Sequence, residues 1–386
     1  MNLLLYSEFF YPLPGGTQSF VLQLARGLAE SSAPENSAGS HSITLVTQTP
    51  GDSAQPDSYP FRAIRQPGFL ELVRQIRHAD LVHVAGPAMS PLALSVLLRK
   101  PLVVEHHGCQ VACPNGLLFY EPLQAPCPGH YMAGRYGKCV ACNRKAIGLA
   151  KSLRLLVLTP LRRWLCNRAT ANVMPTQWLA GVLKLKRMTT IHHGVANFEG
   201  QPATNSPASA ATFAFQGRLV TAKGISTLLD AAGLLRKEGR NFRLKVIGGG
   251  PELESLRSRA AGLGAPVEFL GHIPENSLVQ VLSDVATVIM PSLGGEVFGL
   301  VAAENMLRGK AVIVSDLGAL AEVVGEAGLV FTAGDAPALA ACMRRILNEP
   351  GLAASLGAAA RARAQQLFPV KSMIDAHLAL YRKSLA

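Results

Sequence analysis

Short apolar runs recur along this chain, and most are followed by a stretch with apolar residues at helical spacing. The runs sit at 3–6, 43–47, 81–84, 102–105 and 155–159, then again at 213–216, 244–247, 267–270, 287–290 and 311–315. Apolar runs this short, with no polar alternation, read as strands buried on both faces. Strands that alternate with helices build a parallel sheet covered by those helices. The two series are separated by GQPATNSPASAA at 200–211, a small, polar, proline-containing stretch that reads as an interdomain linker. Each series also opens alike. Strand 3–6 leads to Gly15-Gly16 and a helix near 18–29, and strand 213–216 leads to Gly224 and a helix near 225–235. The expected class is α/β, with two Rossmann-like domains.

The chain has 386 residues, room for two domains of the usual size. With 49% hydrophobic and 16% charged residues, it has too much apolar surface to remain disordered. No apolar run approaches the roughly 20 residues that span a bilayer. Glu8 and Tyr11-Pro12 interrupt the N-terminal apolar stretch before a signal-peptide core can form, so the expected location is the cytoplasm. The net charge of +12 lies almost wholly in the first half, and no acidic residue occurs between Pro122 and Phe198. That interval holds twelve cations, from Arg135 to Arg187, a field that attracts anionic lipid headgroups or phosphorylated ligands. Nucleic acid is not an expected partner, because the basic stretch carries no recognition motif.

Several residue groups suit phosphate and sugar chemistry. Gly15-Gly16, between a strand and a helix, fits a turn whose backbone a phosphate can approach, as a simple tight turn would also do. Arg218 and Lys223 in FQGRLVTAKG fall at the carboxyl end of strand 213–216, where open parallel sheets bind ligands; there they can neutralise a diphosphate leaving group. Gly248-Gly249-Gly250 follows strand 244–247 and again permits close approach. The strongest constellation is PSLGGEVFGLVAAEN at 291–305. Glu296 lies in the loop after strand 287–290, a helix opens near Phe298, Gly299 and Leu300 with free amides, and Glu304 follows about 7.5 Å along its axis. Carboxylates so placed can accept charge-assisted hydrogen bonds from sugar hydroxyls; either one alone would read as a cap or a solvated helix residue.

These motifs resemble the family 4 retaining glycosyltransferases of GT-B fold, in which two Rossmann-like domains face each other across a cleft. The resemblance rests on FYPLPGG at 10–16, GRLVTAKG at 217–224, GGGPE at 248–252, GHIP at 271–274 and MPSLGGEVFGLVAAEN at 290–305. It implies transfer of a sugar from a nucleoside diphosphate sugar to a hydroxyl acceptor with retention, by a front-face route that needs no catalytic metal. It further implies that Arg218 and Lys223 hold the donor diphosphate, Glu296 the donor sugar and Glu304 the ribose, with Gly15, Gly16, Gly249, Phe298, Gly299 and Leu300 around the donor. In EHHGCQVACP it assigns His107 to the reacting sugar, with His106 as the neighbouring candidate. Two departures concern fine specificity: His192-His193-Gly194 stands where the family has Pro-Asn-Gly, and Asn305 follows Glu304 in place of a smaller residue. Closure about Gly194 and the linker would exclude water from the site.

Five of the seven cysteines, Cys109, Cys113, Cys127, Cys139 and Cys142, cluster within 34 residues. In a cytoplasmic chain such clustering favours metal over disulfides, and Cys113, Cys127, Cys139 and Cys142 would complete a structural zinc site, with Cys109 and His130 as spare ligands. Free or redox thiols and disulfides remain alternatives, and a subset of the family carries a similar insert. Cys166 and Cys342 are isolated and read as core.

The expected domains are an acceptor-side domain at 1–198 with its insert at 109–142, a linker at 199–211, and a donor domain at 212–368. A helix at 369–386 would cross back to the first domain. Basic residues with Trp164 and Trp178 suggest an enzyme peripheral to the inner face of an anionic membrane, acting on a lipid-linked or envelope saccharide. A nucleotide-sugar epimerase on the same scaffold and a non-catalytic nucleotide-binding protein are the competing readings.

Overall fold

The structure is a computed structural model that describes all residues except 14, 32–40, 52–57 and 197–208. Most of the expected linker therefore lies outside the described residues. The chain divides into two compact units. One comprises Met1–Leu117, Gly129–Gly194 and Phe368–Ala386; the other comprises Leu118–Pro128 and Val195–Leu367. The insert at 109–142 is expected wholly in the first domain, but its short segment 118–128 is grouped with the second unit.

In chain order the first half contains β1 (Asn2–Ser7), α1 (Gly16–Glu30), β2 (Ser42–Thr47), β3 (Arg62–Arg65), α2 (Phe69–His78), β4 (Leu81–Ala85), α3 (Met89–Leu97) and β5 (Leu102–Glu105). There follow β6 (Phe119–Tyr120), β7 (Ala125–Pro126), α4 (Tyr136–Ile147), α5 (Leu149–Arg168), β8 (Ala171–Met174), α6 (Gln177–Leu183) and β9 (Met188–Thr190). The second half runs β10 (Ser209–Gln216), α7 (Ile225–Lys237), β11 (Arg243–Ile247), α8 (Leu253–Gly262), β12 (Val267–Gly271), α9 (Glu275–Val281) and β13 (Val285–Met290). It closes with α10 (Leu300–Leu307), β14 (Ala311–Ser315), α11 (Leu320–Val324), β15 (Leu329–Phe331), α12 (Ala336–Asn348), α13 (Leu352–Leu367) and α14 (Val370–Leu385).

The first unit holds a seven-stranded sheet in the order β3-β2-β1-β4-β5-β8-β9, and the second a six-stranded sheet in the order β12-β11-β10-β13-β14-β15. Every pairing in both sheets is parallel. In each, the strand order reverses beside the first strand of the series, between β1 and β4 and between β10 and β13. That reversal opens a crevice at the carboxyl ends, where such sheets bind ligands. Buried apolar side chains drive this packing. Helix α1 buries Phe20, Val21, Leu24, Ala25 and Leu28 on one face, and α14 adds Met373, Ile374, Leu378 and Tyr381 to the same core.

One expected strand is a helix. Residues 155–159 lie inside α5, where Thr159 Oγ1 donates to the Leu155 carbonyl at 2.8 Å and Ser152 Oγ to the Gly148 carbonyl at 2.7 Å. A five-residue apolar run carries no periodicity of its own, and the surrounding 20-residue amphipathic pattern prevails despite Pro160.

Candidate functional site

At the β10–β13 crossing, a 3₁₀ turn at Thr221–Lys223 lies against the loop that follows β13. The Leu293 and Gly294 amides both donate to the Ala222 carbonyl, at 2.8 and 2.9 Å. This clasp brings the Lys223 ammonium onto Glu296 Oε1, which also accepts from Ser292 Oγ at 2.9 Å. Burial alone would push the Glu296 carboxyl up, but the Lys223 charge and the two hydrogen bonds outweigh it and hold the carboxyl below its ordinary range. Its side chain remains 18% exposed, so an incoming hydroxyl can still reach it. Gly224 makes the clasp possible: its φ is +69°, and a Cβ would fall 1.8 Å from the Pro291 carbonyl oxygen.

Beyond Glu296, Gly299 at φ +91° caps α10 without a side-chain hydrogen bond, leaving the first amides of that helix open to a ligand. Phe298 is buried in the core, so only its backbone can serve there. Glu304 points toward Arg308, 3.8 Å away, a partner that sequence reasoning missed although the i, i+4 spacing signals it. Asn305 is fully buried and donates to Gln216 Oε1 at 3.1 Å and to the Val301 carbonyl, so this departure from the family ties α10 to the end of β10. Arg218 is exposed and, among the described residues, makes no side-chain hydrogen bond or ion pair.

The glycine triplet divides its work. A Cβ on Gly248 would fall 1.9 Å from the Gly217 carbonyl oxygen and one on Gly250 2.3 Å from that of Leu219, whereas Gly249 faces open space. Two of the three thus serve close packing of the 217–219 loop. Gly15 is extended backbone, and a Cβ there would meet only the end of the flexible Gln18 side chain, so its geometry does not demand glycine.

The first unit contains a cavity of about 630 Å³ at the β1–β4 crossing, lined by Tyr6, Ser7 and Glu8 at the carboxyl end of β1 and by Ala85 and Gly86 at that of β4. His107 lines it as well. Among the described residues its Nε2 has no hydrogen-bond partner, its ring lies 4.8 Å from that of Phe20 and 5.3 Å from that of His193, and burial pulls its pKa down to about 3. His106, one residue earlier, is fully buried against Asn172 Oδ1 at 3.0 Å and holds β5 to β8. The two histidines therefore have separate settings, one in the cavity wall and one in the sheet.

Beneath the cavity lies a network that the sequence did not announce. Glu105, fully buried at the end of β5, meets His377 Nε2 at 2.9 Å, His83 Nε2 at 3.5 Å and His193 Nε2 at 3.5 Å. Burial would raise the Glu105 carboxyl; the surrounding imidazoles, His377 foremost, hold it well below the usual range. His377 Nδ1 faces the Met373 carbonyl at 2.8 Å, and Tyr381 Oη donates to His83 Nδ1 at 2.7 Å. Burial pulls His83 down to about 4, which matches a neutral ring accepting at that nitrogen. His83, Glu105 and His377 bring three metal-capable donors within 4.8 Å; His377 bonds Glu105 Oε2 and the Met373 carbonyl and His83 Nδ1 bonds Tyr381, while among the described residues the buried His83 Nε2 and Glu105 Oε1 make no hydrogen bond. The cluster is a buried charge network that fastens α14 to the first unit. It also accounts for His193, while its neighbour His192 bonds the Pro175 carbonyl at 2.7 Å.

No disulfide forms among the described cysteines. Asn115 stands between two of them, accepting from Cys113 Sγ at 3.0 Å and donating to Cys142 Sγ at 3.7 Å. Cys127 belongs to the 118–128 segment, whose amide bonds the Leu118 carbonyl. Among the described residues, no three metal-capable donors of the insert lie within 4.8 Å of one another.

Two parallel-sheet units, each with its crevice at the strand reversal, define a GT-B glycosyltransferase architecture. Over 99% of the chain the fold is similar, at a TM-score of 0.74 and 17% identity, to all of Anabaena Alr3699/HepE, solved in complex with UDP-glucose. Residues 14–196 match the model of Glycosyltransferase Family 4 and residues 198–363 that of Glycosyl transferases group 1; the chain belongs to these glycosyltransferases. It is 26% identical over 388 aligned positions to a phosphatidyl-myo-inositol mannosyltransferase of Mycolicibacterium smegmatis, covering 94% of this chain and 89% of the relative. It is also 33% identical over 161 positions to D-rhamnosyltransferase WbpZ of Pseudomonas aeruginosa, covering 40% and 41% of the two chains.

Proposed function

We propose that this glycosyltransferase moves a hexose from a nucleoside diphosphate sugar to a hydroxyl of a lipid-linked or envelope saccharide, with retention, at the anionic inner face of a membrane. The observation that carries the reading is the Lys223–Glu296–Ser292 constellation beside the uncapped start of α10, at the strand reversal of the second unit. An ammonium and free amides stabilise a departing diphosphate, while the carboxylate accepts hydrogen bonds from the donor sugar. Arg218, exposed on the neighbouring turn, adds a second cation. The departing diphosphate then helps accept the acceptor's proton, and no metal takes part. Nucleotide-sugar use agrees with the UDP-glucose complex of the Anabaena neighbour, and a lipid acceptor with the name of the mycobacterial relative.

Support for the membrane comes from α5. No described helix is long and apolar enough to cross a bilayer, but Leu149, Leu153, Val157, Leu161 and Trp164 form an exposed stripe along α5, Val157 at 69% exposure. Arg168 stacks on Trp164 at 4.7 Å. An apolar stripe among cations is the pattern of an interfacial helix. Trp178 is half-buried and does not extend it.

Thermal stabilisation by UDP-, GDP-, ADP- and dTDP-sugars tests the donor reading. Binding to the native state raises the melting temperature, by about 2.7 kcal/mol of stability at a hundredfold excess over Kd. One nucleotide class should protect, and Arg218→Ala and Glu304→Ala should lose most of that protection while remaining folded. Absence of protection by every donor would overturn it.

A further inference from the structure

His83, Glu105 and His377 meet on one face of the first-unit sheet. In the β4–β5 register His83 stands opposite Val103 and Glu105 opposite Ala85, so both side chains leave the sheet on the side that α14 covers. From α14, Met373, His377 and Tyr381 follow at four-residue spacing and face them. None of the three potential ligands has any solvent exposure. Their protons are constrained. A carbonyl only accepts, so His377 Nδ1, 2.8 Å from the Met373 carbonyl, carries a hydrogen. A neutral His377 would then aim the Nε2 lone pair at Glu105 Oε2, 2.9 Å away, setting two acceptors against each other. Only one more proton or a shared cation relieves that pair. His83 Nε2 lies 3.5 Å from the same oxygen, and among the described residues neither it nor Glu105 Oε1 makes a hydrogen bond, although both are buried. A proton on His377 satisfies one edge of the cluster and leaves those two atoms stranded, which native interiors avoid; a cation among them serves His83 Nε2 as well.

The spacing suits zinc. Zinc bonds imidazole nitrogen and carboxylate oxygen at roughly 2.0–2.2 Å, which places tetrahedral ligand atoms about 3.3 Å apart. The 2.9 and 3.5 Å edges fall on either side of that value, and all three donor atoms lie within 4.8 Å of one another. Outer partners that would fix the ligands are in place too: the Met373 carbonyl on His377 Nδ1, Tyr381 Oη at 2.7 Å from His83 Nδ1, and His193 Nε2 at 3.5 Å from Glu105 Oε1. We infer that His83 Nε2, His377 Nε2 and the Glu105 carboxylate form a structural site for one zinc-like divalent ion, which staples α14 to β4 and β5. Two imidazoles with one carboxylate select such an ion over magnesium or calcium, which take oxygen ligands. Binding releases the Nε2 proton of His377 to solvent and moves that of His83 to Nδ1, where it donates to Tyr381 Oη. Buried in the core of the first unit, the site takes no part in glycosyl transfer and stands independently of the transferase reading.

Metal analysis of the untagged full chain tests the site, with Zn²⁺ or Co²⁺ supplied both during expression and to the chelator-treated protein. About one ion per chain should bind at this site under at least one of the two loadings. The Zn²⁺-loaded protein should melt roughly 5 °C above the chelated one at a hundredfold excess over Kd. The Co²⁺ form should show ligand-field absorption without a thiolate charge-transfer band, which sets this site apart from the insert cysteines. His83→Phe, an apolar ring of similar size, should lower the bound metal at least tenfold, whereas Cys139→Ser/Cys142→Ser should keep it. If His83→Phe does not fold, the Co²⁺ spectrum and the melting shift of the wild type decide the matter without it. No stoichiometric metal under either loading, a thiolate band that vanishes with the metal in the cysteine variant, or full retention of metal by His83→Phe would each overturn the inference and leave the cluster held by protons alone.

Discussion

The two sheets reverse their strand order at the same point, beside the first strand of each series, yet the two crevices are furnished in opposite ways. In the second unit the charges are half-exposed and come from loops: Lys223 and Glu296 meet because one turn hydrogen-bonds the next. In the first unit the charge lies below the crevice, in a Glu105 with no solvent exposure, surrounded by imidazoles from β4, α14 and the segment before Gly194. The topology supplies the crevice, and burial decides what a carboxylate beneath it costs. A half-exposed pair can be spent on binding a ligand, whereas a fully buried one is committed to holding the fold.

Substitutions can break that contrast. Glu105→Ala would leave His377 without its anion and should cost about 3–5 kcal/mol in urea denaturation, with Glu105→Gln costing less. Both tryptophans belong to the first unit, so their fluorescence follows this loss directly. Glu296→Ala should do the reverse, changing stability by about 1 kcal/mol or less while lowering kcat on the order of 10² to 10³-fold, as loss of a preorganised polar contact does. Equal destabilisation by the two substitutions would erase the distinction.

Acid sharpens it. Burial depresses His83 and His106 to about 4 and His107 to about 3, while an unfolded imidazole takes its proton near 6.5. Between those values the unfolded chain binds more protons, so stability is full above about pH 6.5 and falls as pH drops toward 4, by up to about 1.4 kcal/mol per unit for each histidine. Glu296, whose folded pKa is lowered, contributes stability above its unfolded value near 4.3 and loses it only as pH falls further. Segment-resolved hydrogen exchange at pH 5 should therefore show the first unit opening before the second. The smallest effect is expected at Asn305→Ala, about 1 kcal/mol by denaturation, from the lost bond to Gln216.

Much of the second unit was legible because its signals are local. Strands 213–216, 244–247, 267–270, 287–290 and 311–315 all lie in β10 to β14, and Lys223 and Glu296 fall in loops at carboxyl ends of adjacent strands. The first unit was less so. The short β3, β8 and β9 carry too few apolar residues to stand out, and the run at 155–159 took its conformation from the helix around it.

By itself, then, the sequence determined the strand–helix alternation, the position of the second crevice and the glycine at 224, because hydrophobic period and backbone sterics act over a few residues. Only the tertiary structure decided the fate of Glu105. Its partners His377 and His83 lie 272 and 22 positions away, and Tyr381 reaches His83 across 298. A carboxylate becomes a buried hub only when distant segments remove its water and replace it with imidazole, and no local pattern encodes that exchange.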